Sequence, residues 1–282
     1  EQTGEDSCNP VGYCIGGTLL ATTLAYLKQR DGQIPVMAAT FLTTLIDFSE
    51  PGDLGVFIDD GQIEALDSVM DHNGYLPARY IRDTFSMLRA RDLIWSFVIN
   101  NYLMGRDPFA FDMLYWNDDS TNLPAAMHSY YLRTMYRDNK LIQPGAIEID
   151  GITIDIGKVD IPAYFLSSHQ DHIAPWQATY HSARQLGGDT TFTLAASGHI
   201  AGVINPPAKD KYGYWHDGGD HEAPEVWLDN ASYSQGSWWP HWQAWLAAYT
   251  GGTVNKPRHP ENGAYKPIED APGSYVTQQG DL

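Results

Sequence analysis

A cysteine set between closely spaced glycines, in Val11-Gly12-Tyr13-Cys14-Ile15-Gly16-Gly17, is the segment of this chain best suited to nucleophilic chemistry. It fits the pattern G-x-S-x-G with cysteine in place of serine. A nucleophile held on a strained turn between strand and helix needs small residues around it, and Gly12 and Gly16 are expected to fill that need. A helix beginning near Thr18 would aim its N-terminus at the thiol, favouring thiolate and the negative charge of an acyl intermediate. The backbone N–H of Ile15 is then an expected oxyanion-hole donor. A thiol so placed needs a base, and the base needs an acid to orient it. Asp171, in Ser168-His169-Gln170-Asp171-His172, and His199, in Ser197-Gly198-His199-Ile200-Ala201-Gly202, follow in the order nucleophile, acid, base. The acid would hold the imidazole in one tautomer while the imidazole takes the thiol proton. Cys14, Asp171 and His199 are therefore the expected catalytic set.

The elements around these residues read as α/β. Cys8 to Tyr13 has the character of a strand tail, and Leu19, Leu20, Thr23, Leu24 and Leu27 fall at helical spacing over Thr18 to Gln29. Val36 to Leu42 is an apolar run suited to a buried parallel strand. Ile161 to Ser167 and Thr191 to Ala196 read as further strands, separated by a helix from Pro175 to Leu186, and Asp171 and His199 lie just past their carboxyl ends, where such sheets carry their sites. Between Phe57 and Asn139 the pattern is mostly helical and aromatic, with Tyr80, Phe85, Trp95, Phe97, Tyr102, Phe109, Phe111, Tyr115 and Trp116, and no strand is evident before Ala146 to Ile149. Strand and helix alternate on both sides of it, as around an inserted cap. The expected fold is thus an α/β-hydrolase core in two parts, 1–56 and 156–282, with a cap at 57–155. Trp-rich helical segments are expected at Pro224 to Trp227 and Trp238 to Tyr249.

Other residues carry weaker signals. His172, beside Asp171, is the alternative base. His169 reads as a loop residue, Asp160 lies at the wrong end of its strand, and Cys8 reads as a small core residue. Trp238, Trp239, Trp242 and Trp245 read as one packed helical face. Asp217, Asp220, His221 and Glu222 read as a solvated loop loosened by Gly218 and Gly219, and no metal ligands are expected. The chain has 282 residues, 43% hydrophobic, with 35 acidic against 17 basic side chains and a net charge of −18. That charge disfavours nucleic acid and anionic membranes as partners. A phosphorylated substrate would need a local basic entrance, for which Arg79, Arg82, Arg89 and Arg91 are the candidates. No membrane span is expected, and the acidic start at Glu1 to Pro10 does not read as a signal peptide. The two cysteines are too close along one strand and its exit for an undistorted disulfide, and free thiols point to the cytoplasm.

Gly12-Tyr13-Cys14-Ile15-Gly16-Gly17 resembles the lipase-like box of polyhydroxyalkanoate synthases. So do Leu42-Thr43-Thr44-Leu45-Ile46-Asp47-Phe48, Tyr115-Trp116-Asn117 with Thr121-Asn122-Leu123-Pro124, Asp171-His172-Ile173-Ala174-Pro175-Trp176, the run Ser197 to Pro207, Gly236-Ser237-Trp238-Trp239-Pro240 and Ala271 to Val276. The resemblance is to the class that acts without a partner subunit on short-chain (R)-3-hydroxyacyl-CoA. It implies polymerisation of that thioester, 3-hydroxybutyryl-CoA foremost, into polyester with release of CoA. It also implies a growing chain on Cys14, activation by His199, and Asp171 either orienting His199 or deprotonating the substrate hydroxyl. No cofactor is implied, since CoA is only the carrier and leaving group. The implied partners are the nascent polyester, a second copy in a homodimer and the surface of cytoplasmic polymer granules.

Only 13 residues precede Cys14, so the early core strands of such a fold and the upstream oxyanion-hole donor are expected to be absent. The chain then reads as a C-terminal piece with an uncovered sheet edge, inactive or poorly folded alone. Two other readings of the same residues are a cysteine hydrolase, such as a thioesterase or a dienelactone-type enzyme, and a granule-coating scaffold with a dead site.

Overall fold

Short apolar runs at the two ends of the sequence meet in one sheet. The computed structural model describes residues 3–88, 90–108, 119–254 and 259–278. Contacts divide the chain at Gly52/Asp53 and Arg137/Asp138 into a sheet unit and a helical unit. The sheet unit contains β1 (Val11–Tyr13), α1 (Ile15–Asp31), β2 (Ala39–Leu42), β3 (Ala163–Ser168), α2 (Trp176–Ala183), β4 (Thr190–Ala195), β5 (Gly213–His216), α3 (Pro224–Asn230), β6 (Ser232–Gln235) and α4 (Trp239–Ala247). The strands lie in sequential order from β1 to β6. The first four are parallel, in a register that aligns Tyr13 with Leu42 and Leu42 with Leu166; β5 and β6 then run antiparallel to their neighbours. β1 ends the sheet and pairs only with β2 among the described residues.

β3 is buried along its whole length, as a parallel strand covered on both faces must be. Its period-two alternation serves both sides. Phe165 stacks on Phe41 at 4.6 Å between ring centres. Tyr164 and Leu166 join Ala195, Val203 and Trp238 in a second cluster, against which Trp242 and Trp245 of α4 pack. α1 begins at Ile15, directly after the cysteine, and ends at Gly32, whose φ of 74° suits glycine and whose N–H reaches the Lys28 carbonyl at 2.9 Å. α2 is tied to the exit of β2 by one hydroxyl. The fully buried Ser182 Oγ accepts from the N–H groups of Ile46 (2.9 Å) and Asp47 (3.0 Å) and donates to the Ala178 carbonyl. Ser182→Ala would leave two buried N–H groups without an acceptor. The expected cost is about 2–3 kcal/mol in a denaturant-unfolding midpoint analysis, whereas an ordinary surface serine would cost a few tenths.

Several sequence expectations need correction. Ala146 to Ile149 reads as one strand, but only Glu148–Ile149 is extended, and among the described residues it pairs with Ile152–Thr153 in a separate hairpin of two-residue strands. Residues 138–155, counted with the cap, lie in the sheet unit, where the buried Leu141, Ile147, Ile154 and Ile156 form part of its core and Ile152–Thr153 packs on α1. β5 and β6 were not anticipated. Cys8 is exposed, joined to the sheet side only by a bridge to Val36. The tryptophans of α4 are not equivalent: Trp238 is buried, while Trp239 is 37% exposed and reaches back with its indole N–H to the Val203 carbonyl.

The helical unit contains Asp60–Asn73, Ala78–Leu88 and Ala125–Tyr131, with π-helical turns at Arg91–Trp95, Val98–Leu103 and Leu132–Arg137. Asp59 caps the first of these helices by accepting from the Gln62 N–H at 2.9 Å. Of the candidate basic residues, Arg82 contacts the neighbouring Asp83 and Arg79 lies over the Tyr80 ring. Arg89, with Phe109, Phe111 and Tyr115-Trp116-Asn117, falls outside the described residues. No helix among the described residues is long and apolar enough to cross a membrane.

Candidate active site

Cys14 sits between β1 and α1 with φ 53° and ψ −124°, a left-handed backbone that costs an ordinary side chain about 1–3 kcal/mol and persists only where the surroundings enforce it. The enforcing bonds are on both sides of the residue. Its N–H donates to the Leu42 carbonyl at 2.9 Å, extending the β1–β2 ladder by one step. Its carbonyl accepts from the N–H groups of Gly17 and Thr18 and from the Thr44 hydroxyl at 3.3 Å. Gly12 is needed here, because a Cβ on it would lie 2.5 Å from the Gly17 Cα. The expectation for Gly16 is corrected: a Cβ there meets nothing within 4 Å, and Gly17, packed on Thr44, is the second required glycine. Ile15 opens α1, so its N–H belongs to the first helical turn that has no intrahelical acceptor. No acidic residue in that turn offsets the positive end of the dipole, which suits an oxyanion beside Cys14.

The loops after β3 and β4 are laced together, the Gln170 N–H donating to the Ser197 carbonyl at 2.8 Å. Asp171 is thereby held with a fully buried side chain, its Oδ1 accepting from the N–H groups of Ile173 (2.9 Å) and Ala174 (3.0 Å). Its Oδ2 lies 2.6 Å from His199 Nδ1. With Nδ1 turned to Asp171, Nε2 is the nitrogen left available, and Cys14 is close enough to act on the charge of the same imidazole. His199, and not His172, thus takes the Asp171 carboxylate. The sequence does not single out Tyr13, yet its ring stacks on His199 at 5.4 Å and 22°, and its hydroxyl donates to the His199 carbonyl at 2.9 Å. Adjacency to the cysteine was the available signal. Burial first, then the nearby Cys14 and Asp171, push the Tyr13 phenol well above its ordinary value, so it stays a neutral donor.

Burial acts to lower the His199 pKa, but the hydrogen bonds and charges of Asp171 and Cys14 outweigh it and push it up to about 10. The surroundings of His199 therefore favour its imidazolium form. The folded value lies above the unfolded one, so this contribution to stability is fully present below about pH 6.5 and is lost as pH rises toward 10. Asp171→Asn removes the largest raising influence. Melting temperatures of that variant are expected to fall less steeply than those of the parent chain over this alkaline window, which a pH series by calorimetry measures.

The remaining candidates lie elsewhere. His169 packs between Trp176 and Trp215. Asp160 pairs with Lys28 at 2.7 Å. Asp220 contacts Arg184, and Asp217 pairs with His216.

Residues 1–206 match the alpha/beta hydrolase fold family. The chain is 47% identical over 276 residues to poly(3-hydroxyalkanoate) polymerase subunit PhaC of Rhizobium meliloti (strain 1021), covering 98% of this chain and 44% of that protein. It is 43% identical over 279 residues to the subunit of the same name from Cupriavidus necator, covering 97% and 47% respectively. Poly(3-hydroxyalkanoate) polymerase 2 of Ectopseudomonas oleovorans is 39% identical over 275 residues, covering 97% and 49%. The chain spans less than half the length of each of these relatives. A mainly parallel sheet with Cys14, Asp171 and His199 just past the carboxyl ends of three parallel strands agrees with the family match, and this chain belongs to the alpha/beta hydrolase fold family.

Proposed function

We propose that this chain carries the catalytic centre of a poly(3-hydroxyalkanoate) polymerase acting on (R)-3-hydroxyacyl-CoA, with 3-hydroxybutyryl-CoA the first substrate to try. The observation that carries the reading is the linked set Cys14–His199–Asp171 on a strained strand-to-helix turn, in a chain 43–47% identical to proteins named as such polymerases. His199 holds the thiol proton as imidazolium while Cys14 attacks the thioester carbonyl, and the oxyanion meets the Ile15 N–H. Collapse of the tetrahedral intermediate breaks the bond to CoA, whose sulfur leaves with the proton returned by His199. The hydroxyl of another hydroxyacyl group then attacks an enzyme thioester, forming an oxoester bond and freeing the thiol. Exchange of one thioester for another is close to energetic balance, and thioester to oxoester runs downhill, so cysteine suits repeated loading and transfer. Asp171 orients the imidazole and compensates its positive charge.

Water competes with the hydroxyl for the acyl-enzyme, and the helical unit is assigned the role of cap that limits this loss. The homodimer and the cytoplasmic polymer-granule surface belong to the same proposal. The hydrolase reading differs only in the acceptor. The test is thiol-detected CoA release from (R)-3-hydroxybutyryl-CoA with product analysis, on the chain alone and on the chain completed to the length of its relatives. Insoluble polyester supports the polymerase; CoA release with only soluble 3-hydroxybutyrate would overturn it in favour of the hydrolase.

A further inference from the structure

We propose that His216, Asp217 and His241 form a binding site for a divalent transition-metal ion, zinc or a close neighbour, joining the end of β5 to the first turn of α4. One ligand atom from each residue lies within 4.8 Å of the others. The two imidazole rings are 4.9 Å apart between centres, and Asp217 Oδ2 is 2.7 Å from His216 Nδ1. An ion with bonds of about 2.1 Å separates its tetrahedral ligands by roughly 3.4 Å, so small side-chain rotations close the set.

Each imidazole already has one nitrogen engaged by a hydroxyl. The Tyr164 hydroxyl lies 2.9 Å from His241 Nδ1, and Ser234 Oγ lies 3.0 Å from His216 Nε2. This is the outer-shell arrangement that orients metal-bound histidines, and the nitrogens not engaged by a hydroxyl are His241 Nε2 and His216 Nδ1, the latter beside Asp217 Oδ2. Tyr164 is itself fully buried in β3, so its hold on His241 has a rigid base. Asp217 has φ 56°, the turn that brings its carboxylate back beside the preceding histidine. With the His216 side chain 17% exposed and Asp217 70% exposed, a fourth position would open to water. Two imidazoles and one carboxylate suit zinc, nickel or cobalt better than calcium or magnesium, which prefer all-oxygen shells. The sequence conceals the set because His241 stands 24 residues beyond Asp217, across α3 and β6 and on α4.

The experiment titrates the chelator-treated chain, free of any histidine tag, with zinc by calorimetry and with cobalt by visible absorption. One saturable equivalent, a cobalt d–d band and a zinc-dependent rise in melting temperature are expected. His216→Ala, His241→Ala and the exposed Asp217→Ala should each weaken binding by at least about tenfold, while His72→Ala on the helical unit should not. Asp217→Ala keeps the test interpretable should a histidine variant fold poorly. Absence of saturable binding, or binding of parental strength in the Asp217 and both histidine variants, would overturn the assignment.

Discussion

In the chain completed to the length of its relatives, Cys14→Ala is expected to lower CoA release from (R)-3-hydroxybutyryl-CoA by about four to six orders of magnitude while leaving the melting temperature close to that of the parent. The two halves of this expectation have separate causes. Alanine keeps the Cβ, so it meets the same left-handed backbone at φ 53° and the same bonds to Leu42, Gly17 and Thr18. Only Sγ is lost, from a half-buried side chain, and Asp171 still holds His199 at 2.6 Å. Without Sγ there is no group to carry the acyl chain, and the Ile15 N–H and the imidazole can act only on adventitious attack by water. Cys14→Ser sharpens the test. A serine ester formed from the thioester lies downhill, and its transfer to another hydroxyl no longer has that drop to drive it. The expected outcome is a burst of about one CoA per site followed by near arrest, with no polymer. Polymer formation at the parental rate by Cys14→Ala would exclude Cys14 as the carrier.

Cys14, Asp171 and His199 could be singled out in the sequence because each lies beside a short-range signal. Glycines bracket Cys14, and buried apolar strands end just before Asp171 and His199. Buried residues on β2, β3 and β4 are mostly apolar, broken only by small hydroxyl residues at Thr40, Ser167, Ser168 and Thr193, which is the pattern of parallel strands covered on both faces. β5 and β6 lack that signal. Gly213-Tyr214-Trp215-His216 and Ser232-Tyr233-Ser234-Gln235 lie toward the sheet's end, β6 mostly exposed, so neither needed an apolar face. Tyr13 escaped attention because stacking on His199 is a contact across 186 residues. The cap boundary shifted for a similar reason. The aromatic density that suggested a cap tails off gradually, whereas Leu141 to Ile156 is claimed by the sheet unit through packing on α1, which no local pattern announces. The glycine pattern was misread in one place, because what excludes a side chain at Gly17 is Thr44, on a neighbouring strand's exit.

Three alanine substitutions in the turn should therefore give three different results. Gly12→Ala puts a Cβ 2.5 Å from the Gly17 Cα and 2.9 Å from the Gly16 carbonyl oxygen. Both obstacles are backbone, so α1 must move away from β1 and carry the Cys14 turn with it. The expected loss is about 3 kcal/mol, or roughly 10 °C in melting temperature, accompanied by loss of the Cys14–His199 alignment. Gly17→Ala meets only one side chain, with Thr44 Oγ1 at 1.9 Å, Cγ2 at 2.6 Å and Cβ at 2.7 Å. It is expected to cost a comparable amount alone. Thr44→Ala in the same chain removes the first two obstacles and should recover about 1 kcal/mol beyond additivity, even though it also deletes the hydroxyl bonds to the carbonyls of Cys14 and Leu42. Gly12→Ala should gain nothing from that second change. Gly16→Ala enters open space inside the first turn of α1 at a φ that alanine accepts, so it should be neutral or stabilising by up to about 1 kcal/mol. Denaturant unfolding of the four single variants and two doubles measures all of these values. If Gly12→Ala proved as benign as Gly16→Ala, the close approach of helix to strand could not be what holds the cysteine in its strained conformation, and the link from glycine spacing to nucleophile geometry would fail.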